Sequence, residues 1–314
     1  MISVTPGREL PSPGHDSEES PMKRENRSTV LLVIIFLVGL SLLLYPSLSD
    51  YWNSFRQSRA IASYLDAVNE MDNAKYDALL EQARAYNASL VGRKDVFTLS
   101  EEEEEEYLSL LGSTGGAVGY IEIEAIKLSL PIYLGTSEGV LQAGVGTLEG
   151  SSLPIGGDSV HGVLTGHRGL PSATLFTHLD KLVEGDMFHV HILNEITTYE
   201  VDQILIVEPQ DMEALKIQEG KNYCTLITCT PYGINTHRLL IRGHRIETPA
   251  DALFVQVSAD ALQIEPVAIA PLIAVPLLLV LLILLLAGGP KEKKQHSGKK
   301  KGGNSGEDSE KMDG

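Results

Sequence analysis

The sequence predicts a mostly β fold, a closed or nearly closed β-barrel that is preceded by helices and tethered by two transmembrane helices. From residue 117 onward, short runs rich in β-branched and aromatic residues alternate with turns, a pattern typical of barrels. Two long apolar runs lie towards the ends of the chain, and each can cross a bilayer. Once they are subtracted from the 314 residues, the remainder is enough for one domain.

The two apolar runs, residues 30–45 and 266–287, have basic residues on their outer sides. Three such residues lie between 23 and 27, and six lysines lie between 291 and 301. Because basic segments stay on the cytoplasmic side, we expect both termini in the cytoplasm and residues 48–263 outside the cell. A cleaved signal peptide is disfavoured, since the first run lies far from the start of the chain and lacks a small-residue cleavage site.

The segment between the first span and the barrel is predicted to be largely helical. Residues 51–90 are rich in good helix formers, and apolar residues such as Ile61, Leu65 and Val68 recur at helical spacing, which predicts one or two helices. Residues 91–116 are expected to form a loop with an acidic, partly helical part. Its six consecutive glutamates are interpreted as a solvated, self-repelling run, because a metal site needs mixed and spaced ligands.

The barrel region contains seven segments with strand-like patterns. They lie at residues 118–124, 130–134, 159–165, 187–193, 197–207, 224–229 and 238–242.

The net charge and the histidines limit which ligands the chain can bind. The net charge of -17 argues against nucleic acid as a partner, because a phosphate-binding protein needs a basic face. His189 and His191 share one predicted strand face, but two histidines without cysteine or carboxylate partners are a weak metal motif. We therefore expect no metal and no cofactor.

The chain has two cysteines, Cys224 and Cys229, on one predicted strand. An offset of five residues points them to opposite faces, about 16 Å apart, which is beyond the reach of a disulfide. A thiol that stays free outside the cell needs a reason, and catalysis is one.

Cys229 and Arg238 are predicted to lie at the same end of one hairpin. Cys229 ends a β-branched run, a Pro-Tyr-Gly-Ile-Asn turn follows, and Arg238 begins the next run. His167 leaves another predicted strand into a loop with glycine nearby on both sides. A thiolate, an imidazole and a guanidinium suit nucleophilic acyl transfer, in which the arginine stabilises the developing oxyanion. The alternative is that Cys229 is a small buried hydrophobe and Arg238 an ion-pairing residue.

Several ordered motifs in this region together resemble a sortase, and most closely the class C, pilin-polymerising sortases. They are Leu-Thr-Gly-His-Arg-Gly at 164–169 and Thr-Cys-Thr-Pro-Tyr-Gly at 228–233, followed by His-Arg at 237–238. The similarity covers about residues 119–246. It implies an eight-stranded sortase-type β-barrel, with His167, Cys229 and Arg238 as its catalytic triad.

The resemblance also implies a lid, a segment before the barrel in which an Asp-Pro-aromatic motif occupies the active-site groove. The matching stretch is Lys-Asp-Val-Phe at 94–97. Asp95 would pair with Arg238 and Phe97 would cover Cys229, while Val96 stands where the family usually has proline. Valine keeps a backbone N–H and a freer φ, so this lid would open more easily. The alternative is an ordinary surface loop with a buried phenylalanine.

The implied reaction cleaves a Leu-Pro-x-Thr-Gly-type sorting signal after its threonine and joins that threonine to a lysine amine of the next pilin. The implied partners are pilin subunits that carry the signal and the acceptor lysine. Two alternatives remain, a sortase that uses a peptidoglycan amine to anchor proteins to the cell wall, and a membrane-tethered β-domain without enzymatic activity. A role as substrate is disfavoured, because no sorting signal precedes residue 266.

The expected organisation has seven parts. They are a disordered cytoplasmic tail (1–28), a transmembrane helix (29–47), an extracellular helical region with the lid-like loop (48–116), the catalytic barrel (117–250), a juxtamembrane segment (251–264), a second transmembrane helix (265–288) and a basic cytoplasmic tail (289–314).

Overall fold

The computed structural model describes residues 22–112, 116–249, 275–278 and 280. These residues fall into two compact units, one with the residues up to Val38 and those from 275 onward, the other with residues 39–249. The predictions for the juxtamembrane segment, the basic tail, most of the first tail and most of the second span lie outside the described residues.

A single long helix, α1, spans Met22–Asn69. Between Val30 and Asn69 it contains an apolar stretch of 18 residues with a mean hydropathy of 2.6, and within the described residues it is the one helix long and apolar enough to cross a membrane. The predicted span ends at residue 47, but the helix continues, because the following residues are good helix formers. Pro46 lies inside the helix, where it removes one backbone hydrogen-bond donor without ending it.

Two further helices precede the barrel. Helix α2 spans Asn73–Leu90 and begins at Asp72, whose carboxylate accepts a hydrogen bond from the backbone N–H of Lys75. Helix α3 spans Glu101–Ser109 and thus takes up the whole glutamate run. Ser100 and Glu103 form a capping box, and carboxylates in the first turn lie at the positive end of the helix dipole. The acidic run therefore favours the helix that it begins.

Eight strands form one closed barrel, which confirms the predicted fold. Their order around the barrel is β1-β2-β3-β4-β7-β8-β6-β5. The strands are β1 (Gly119–Ile123), β2 (Leu128–Leu134), β3 (Val145–Thr147), β4 (Val160–Thr165), β5 (Met187–Ile192), β6 (Glu195–Val207), β7 (Asn222–Thr230) and β8 (His237–Ile246). A short helix, α4 (Glu138–Ala143), joins β2 to β3. The sequence pattern missed β3, because three residues are too few to show an alternation.

The barrel has two separate apolar clusters. The larger fills the interior and includes Leu164, Leu226 and Ile241. The smaller, here named the outer cluster, lies on the opposite face of the sheet, because its strand residues alternate with the interior ones. It consists of Val163, Leu215, Ile227 and Leu240, with Phe97, Leu148, Leu205, Val207, Met212 and Ala214 packed against them.

The N-terminal helices are joined to the barrel by buried polar contacts. The amide of Asn87 in α2 both donates to the carbonyl of Leu153 and accepts from its N–H, each at 2.8 Å. In α1, Asp50 accepts from the backbone N–H of Thr174 at 2.8 Å, and Asn53 donates to the carbonyl of Ser172 at 2.7 Å. Helix α1 therefore contacts the loop that follows β4.

Candidate active site

Cys229 lies near the end of β7 and is partly exposed, whereas Cys224 on the same strand is fully buried. Both thiols are free, as the offset of five residues predicts. Burial raises the pKa of the Cys224 thiol far above its usual range, so that thiol stays protonated. Cys229 shares its face with Ile227, a member of the outer cluster. Of the two thiols, Cys229 is the one open to a substrate on the outer face.

Arg238 is the register partner of Cys229, since β7 and β8 are antiparallel neighbours. Its Nη1 donates to the carbonyl of His237, the first residue of β8, at 3.2 Å and to that of Asn235 in the β7–β8 turn at 3.4 Å. These bonds engage one nitrogen of the guanidinium. The predicted hairpin is therefore confirmed, with thiol and guanidinium side by side at its closed end.

His167 is brought to Cys229 by the parallel pairing of β4 with β7. Thr165 pairs with Ile227, and beyond β4 the N–H of Gly166 donates to the carbonyl of Ile227 at 3.0 Å. The hydroxyl of Thr228 donates to the carbonyl of Gly166 at 2.8 Å. His167 is the next residue after Gly166, and Cys229 is the next residue after Thr228. The three predicted residues therefore lie on, or directly after, three adjacent strands, β4, β7 and β8.

Gly166 allows this close pairing. A Cβ at this position would lie 2.7 Å from the ring of Phe176, which is fully buried. Any larger residue would push the His167 loop away from the barrel, so the glycine before the histidine has a steric reason.

Arg168 clamps the same loop to the end of β7. Its side chain is 9% exposed; Nη1 donates to the hydroxyl of Thr230 at 3.3 Å and Nη2 pairs with Asp180 at 2.6 Å. The guanidinium carbon lies 5.9 Å from the centre of the Tyr232 ring. Arg168, which follows His167 directly, therefore connects the His167 loop to Thr230, the residue after Cys229, and to Tyr232 in the β7–β8 turn.

Glu138, the first residue of α4, lies on the other side of His167. Its Oε2 is 3.7 Å from Nε2 of His167, and its Oε1 accepts a hydrogen bond from Nε2 of Gln142 at 2.7 Å. The Glu138 side chain is 70% exposed. An oriented carboxylate thus stands open to solvent beside the imidazole.

The predicted lid, residues 94–97, packs on the same outer face of the barrel. Phe97 belongs to the outer cluster, where it joins Ile227 and Leu240, the residues two positions from Cys229 and Arg238 along their strands. Val96 is buried, and its carbonyl oxygen would be 1.9 Å from a Cβ on Gly150. Residues 94–97 therefore pack so closely against Gly150 that no residue with a Cβ fits there without displacing them.

Asp95 is exposed and makes local contacts. Its carboxylate accepts hydrogen bonds from the hydroxyl of Thr98 at 2.8 Å and from the N–H of Phe97 at 3.3 Å. The bond from Thr98 is the main cause of the lowered pKa of Asp95, with the backbone N–H groups adding to it. Among the ion pairs of the described residues none joins Asp95 to Arg238, so the structure does not bring these two predicted partners together.

The two histidines weighed as metal ligands have other partners. His191 lies 3.0 Å from the carboxylate of Glu122 and stacks on Tyr120, with ring centres 4.2 Å apart. His189 shares a hydrogen bond of 2.9 Å with the hydroxyl of Thr198. Within the described part of the chain, no group of three or more potential ligands could hold a metal ion.

Sequence reasoning missed three residues that shape the site: Glu138, Gly150 and Arg168. Arg168 was quoted as part of a motif, but its role depends on Asp180 and Thr230, which only the fold brings near. Gly150 carried a weak signal, because a glycine in a sequence can mark a left-handed backbone conformation. The structure gives Gly150 such a conformation, with φ +84. Glu138 gave none, because the turn from β2 decides where its carboxylate points.

Comparisons with known proteins agree with this geometry. The family model described as Sortase domain matches residues 121–246. Sortase C1 from Streptococcus agalactiae is 52% identical, with a TM-score of 0.58 over 61% of this chain and 100% of that chain. Sortase C from Streptococcus pneumoniae is 47% identical, with a TM-score of 0.55 over 60% of this chain and 97% of that one. A further relative, Sortase D from Bacillus subtilis, is 31% identical over 47% of this chain and 73% of its own length.

Proposed function

Because the chain belongs to the sortase family of cysteine transpeptidases, we propose that it polymerises pilin subunits through His167, Cys229 and Arg238. The observation that carries the proposal is the strand register, which pairs Cys229 of β7 with Arg238 of β8 and places β4, the strand before His167, on the other side of β7.

The first half of the reaction forms a thioester. The Cys229 thiolate attacks the carbonyl carbon of the threonine in a Leu-Pro-x-Thr-Gly-type signal, while Arg238 stabilises the oxyanion that develops. The bond between threonine and glycine breaks, and the His167 imidazolium protonates the departing glycine amine. The substrate is therefore split into two parts: the part that begins with the glycine amine leaves, and the part that ends in threonine stays bound to the sulfur of Cys229.

The second half transfers the threonine to an amine. A lysine amine of another pilin attacks the thioester carbonyl carbon, the C–S bond breaks, and the electron pair returns to Cys229 as thiolate. His167 takes the proton that the amine loses on forming the amide. The product is an isopeptide bond, and the thiolate and imidazolium are restored.

Two observations favour pilin lysines over cell-wall amines as acceptors. The similar structures reported above are sortases C, and the Streptococcus pneumoniae enzyme was described together with its pilin substrate specificity. In addition, residues 94–97 pack beside the catalytic face in the way a lid would, with Phe97 in the outer cluster. We propose that Phe97 and Asp95 belong to this lid, and that it closes the groove when no substrate is bound.

Sortases are membrane-associated, with the catalytic domain outside the cell. Helix α1 is a candidate anchor, apolar from Val30. We propose a second anchor at residues 265–288, which would place both termini in the cytoplasm by the distribution of basic residues.

The test uses the full chain in detergent micelles with a Leu-Pro-x-Thr-Gly peptide and hydroxylamine, which captures the thioester as a hydroxamate. We expect hydroxamate from the wild type and none from Cys229→Ala, whereas Cys224→Ala, which alters the buried thiol, should still give product. When a pilin fragment with a lysine replaces hydroxylamine, the product should be a conjugate in which the threonine of the peptide is joined to that lysine. Hydroxamate from Cys229→Ala would contradict the catalytic role, and transfer only to a peptidoglycan amine would favour cell-wall anchoring.

A further inference from the structure

We propose that Glu138 is the residue that receives the acceptor lysine, by binding its ammonium group next to His167. The inference rests on the proposed function, since it concerns the second half of that reaction. It assigns to α4 a part in selecting the nucleophile.

The position of Glu138 suits a cationic substrate. Its Oε2 lies 3.7 Å from Nε2 of His167, and Gly166, which precedes His167, is bonded to Thr228, which precedes Cys229. A group that contacts the carboxylate is therefore also close to the base and to the thioester. The separation of 3.7 Å exceeds an ordinary hydrogen bond, so the carboxylate retains capacity for a further donor.

The carboxylate is held in place but not enclosed. Gln142 donates to Oε1 at 2.7 Å from the next turn of α4, which leaves Oε2 directed at His167. The start of α4 is itself fixed, because Glu149 accepts from the N–H of Thr136 at 2.6 Å and from its hydroxyl at 2.8 Å. Glu149 is thereby occupied, whereas Glu138, at 70% exposure, is open to a substrate.

The chemistry of the acceptor explains why a carboxylate is useful here. A lysine amine has a pKa near 10.4 and arrives as an ammonium ion at neutral pH. It loses one proton to solvent before it can attack. As the nitrogen adds to the thioester carbon, His167 takes a second proton and the electron pair of the C–S bond returns to sulfur. Glu138 attracts the incoming cation and then faces the imidazolium, so one negative charge serves both stages.

The proposal predicts different responses to charged and neutral nucleophiles. The full chain in detergent would be acylated with a sorting-signal peptide and then offered a lysine-containing peptide or hydroxylamine, which is neutral at pH 7. In Glu138→Gln we expect the ratio of lysine product to hydroxamate to fall about fivefold, as for loss of an exposed ion pair. The wild-type lysine rate should also decrease with added salt more steeply than that of the variant.

Two further variants serve as controls. Glu138→Asp keeps the negative charge and should restore part of the lost ratio. Glu184→Gln removes an exposed carboxylate from the loop before β5, far along the chain from α4, and should give the wild-type ratio.

The outcomes distinguish binding of the acceptor ammonium by Glu138 from mere positioning of His167. An equal fall with both nucleophiles would overturn the proposal, since Glu138 would then act only by positioning His167. An unchanged ratio in Glu138→Gln would overturn it as well. If the wild type itself forms no hydroxamate, the proposed function fails first, and that result is visible before any variant of Glu138 is compared.

Discussion

His161 shows how one buried side chain can make stability depend on pH. It lies on β4, where its ring nitrogens contact the carbonyl of Lys216 at 3.0 Å and the hydroxyl of Thr225 at 2.8 Å. Burial is the main cause that lowers its pKa to about 4, and the positive charge of Arg242 lowers it further, against the opposite effect of Asp202. The imidazole is therefore neutral in the folded protein well below the pH at which a free histidine would be charged.

The pH window lies between the pKa of His161 in the folded protein, about 4, and its ordinary value of 6.5 in the unfolded chain. Between about 6.5 and 4 the unfolded chain binds the proton that the folded protein excludes, so the free energy of unfolding falls as pH decreases. The contribution of this group is complete above pH 6.5 and decreases by up to about 3 kcal/mol at pH 4. His161→Gln should be less stable than the wild type at pH 7, and the difference should shrink towards pH 4.5. Urea denaturation at several pH values measures it, and a difference that stays constant with pH would refute the prediction.

At the scale of secondary structure, the sequence patterns were informative where elements are long. Strands β6, β7 and β8 contain the segments predicted from their patterns, and β4 begins one residue after its predicted segment, because each of these strands has one face in the core. Strand β3 was missed, since its three residues owe their conformation to the neighbours β2 and β4. Residues 101–106 were expected to be solvated and to belong to a partly helical segment; they are largely exposed, and the capping box makes all six helical. Tertiary pairing and capping, rather than propensity, account for both differences.

The candidate lid at 94–97 gives a prediction for Gly150. A Cβ here would lie 1.9 Å from the carbonyl oxygen of Val96 and 3.2 Å from Cα of Phe97, so Gly150→Ala must displace the segment. We expect a faster initial rate of hydroxamate formation and a loss of roughly 1–3 kcal/mol of stability, part of it from the positive φ.

Gly185→Ala is the matched control for that strain. Gly185 also has a positive φ, +95, but a Cβ there would meet nothing within 4 Å. It should lose stability without gaining activity. A Gly150→Ala enzyme that is no faster than Gly185→Ala would show that residues 94–97 do not limit access to the site.

At the scale of the whole molecule, the strand ends and the turn that carry the three proposed catalytic residues were predictable from sequence, and the contacts around them were not. The positions of His167, Cys229 and Arg238 follow from strand ends and a hairpin turn, which are local features. The contacts of Arg168 with Asp180, of Glu138 with His167 and of Phe97 with Ile227 depend on how distant segments pack. Such contacts between side chains have no counterpart in periodicity or spacing.

The joint between the helices and the barrel can be tested through Asn87. Its two hydrogen bonds satisfy both backbone groups of Leu153, which is fully buried. The carbonyl of Leu153 also accepts from the N–H of Ile155 at 2.9 Å, so Asn87→Ala would leave one buried donor, the N–H of Leu153, unpaired. We expect a loss of about 1–3 kcal/mol in the free energy of unfolding. Gln82→Ala, at an exposed position of the same helix, should change it by less than about 0.5 kcal/mol. Equal effects of the two changes in thermal denaturation would contradict this account.

In the proposed topology, the continuity of α1 would link the membrane directly to the loop that follows β4. Asp50 lies three residues beyond the predicted end of the span at residue 47, about 5 Å along the helix axis, and it binds Thr174 in the loop that follows His167. With residues 29–47 as the proposed span, that loop would lie near the lipid headgroups. A substrate that is anchored in the same membrane by its own apolar segment would present a different bond at that height if its spacer were longer or shorter. Spacer length would then act as a ruler that selects the substrate alongside the sorting signal itself.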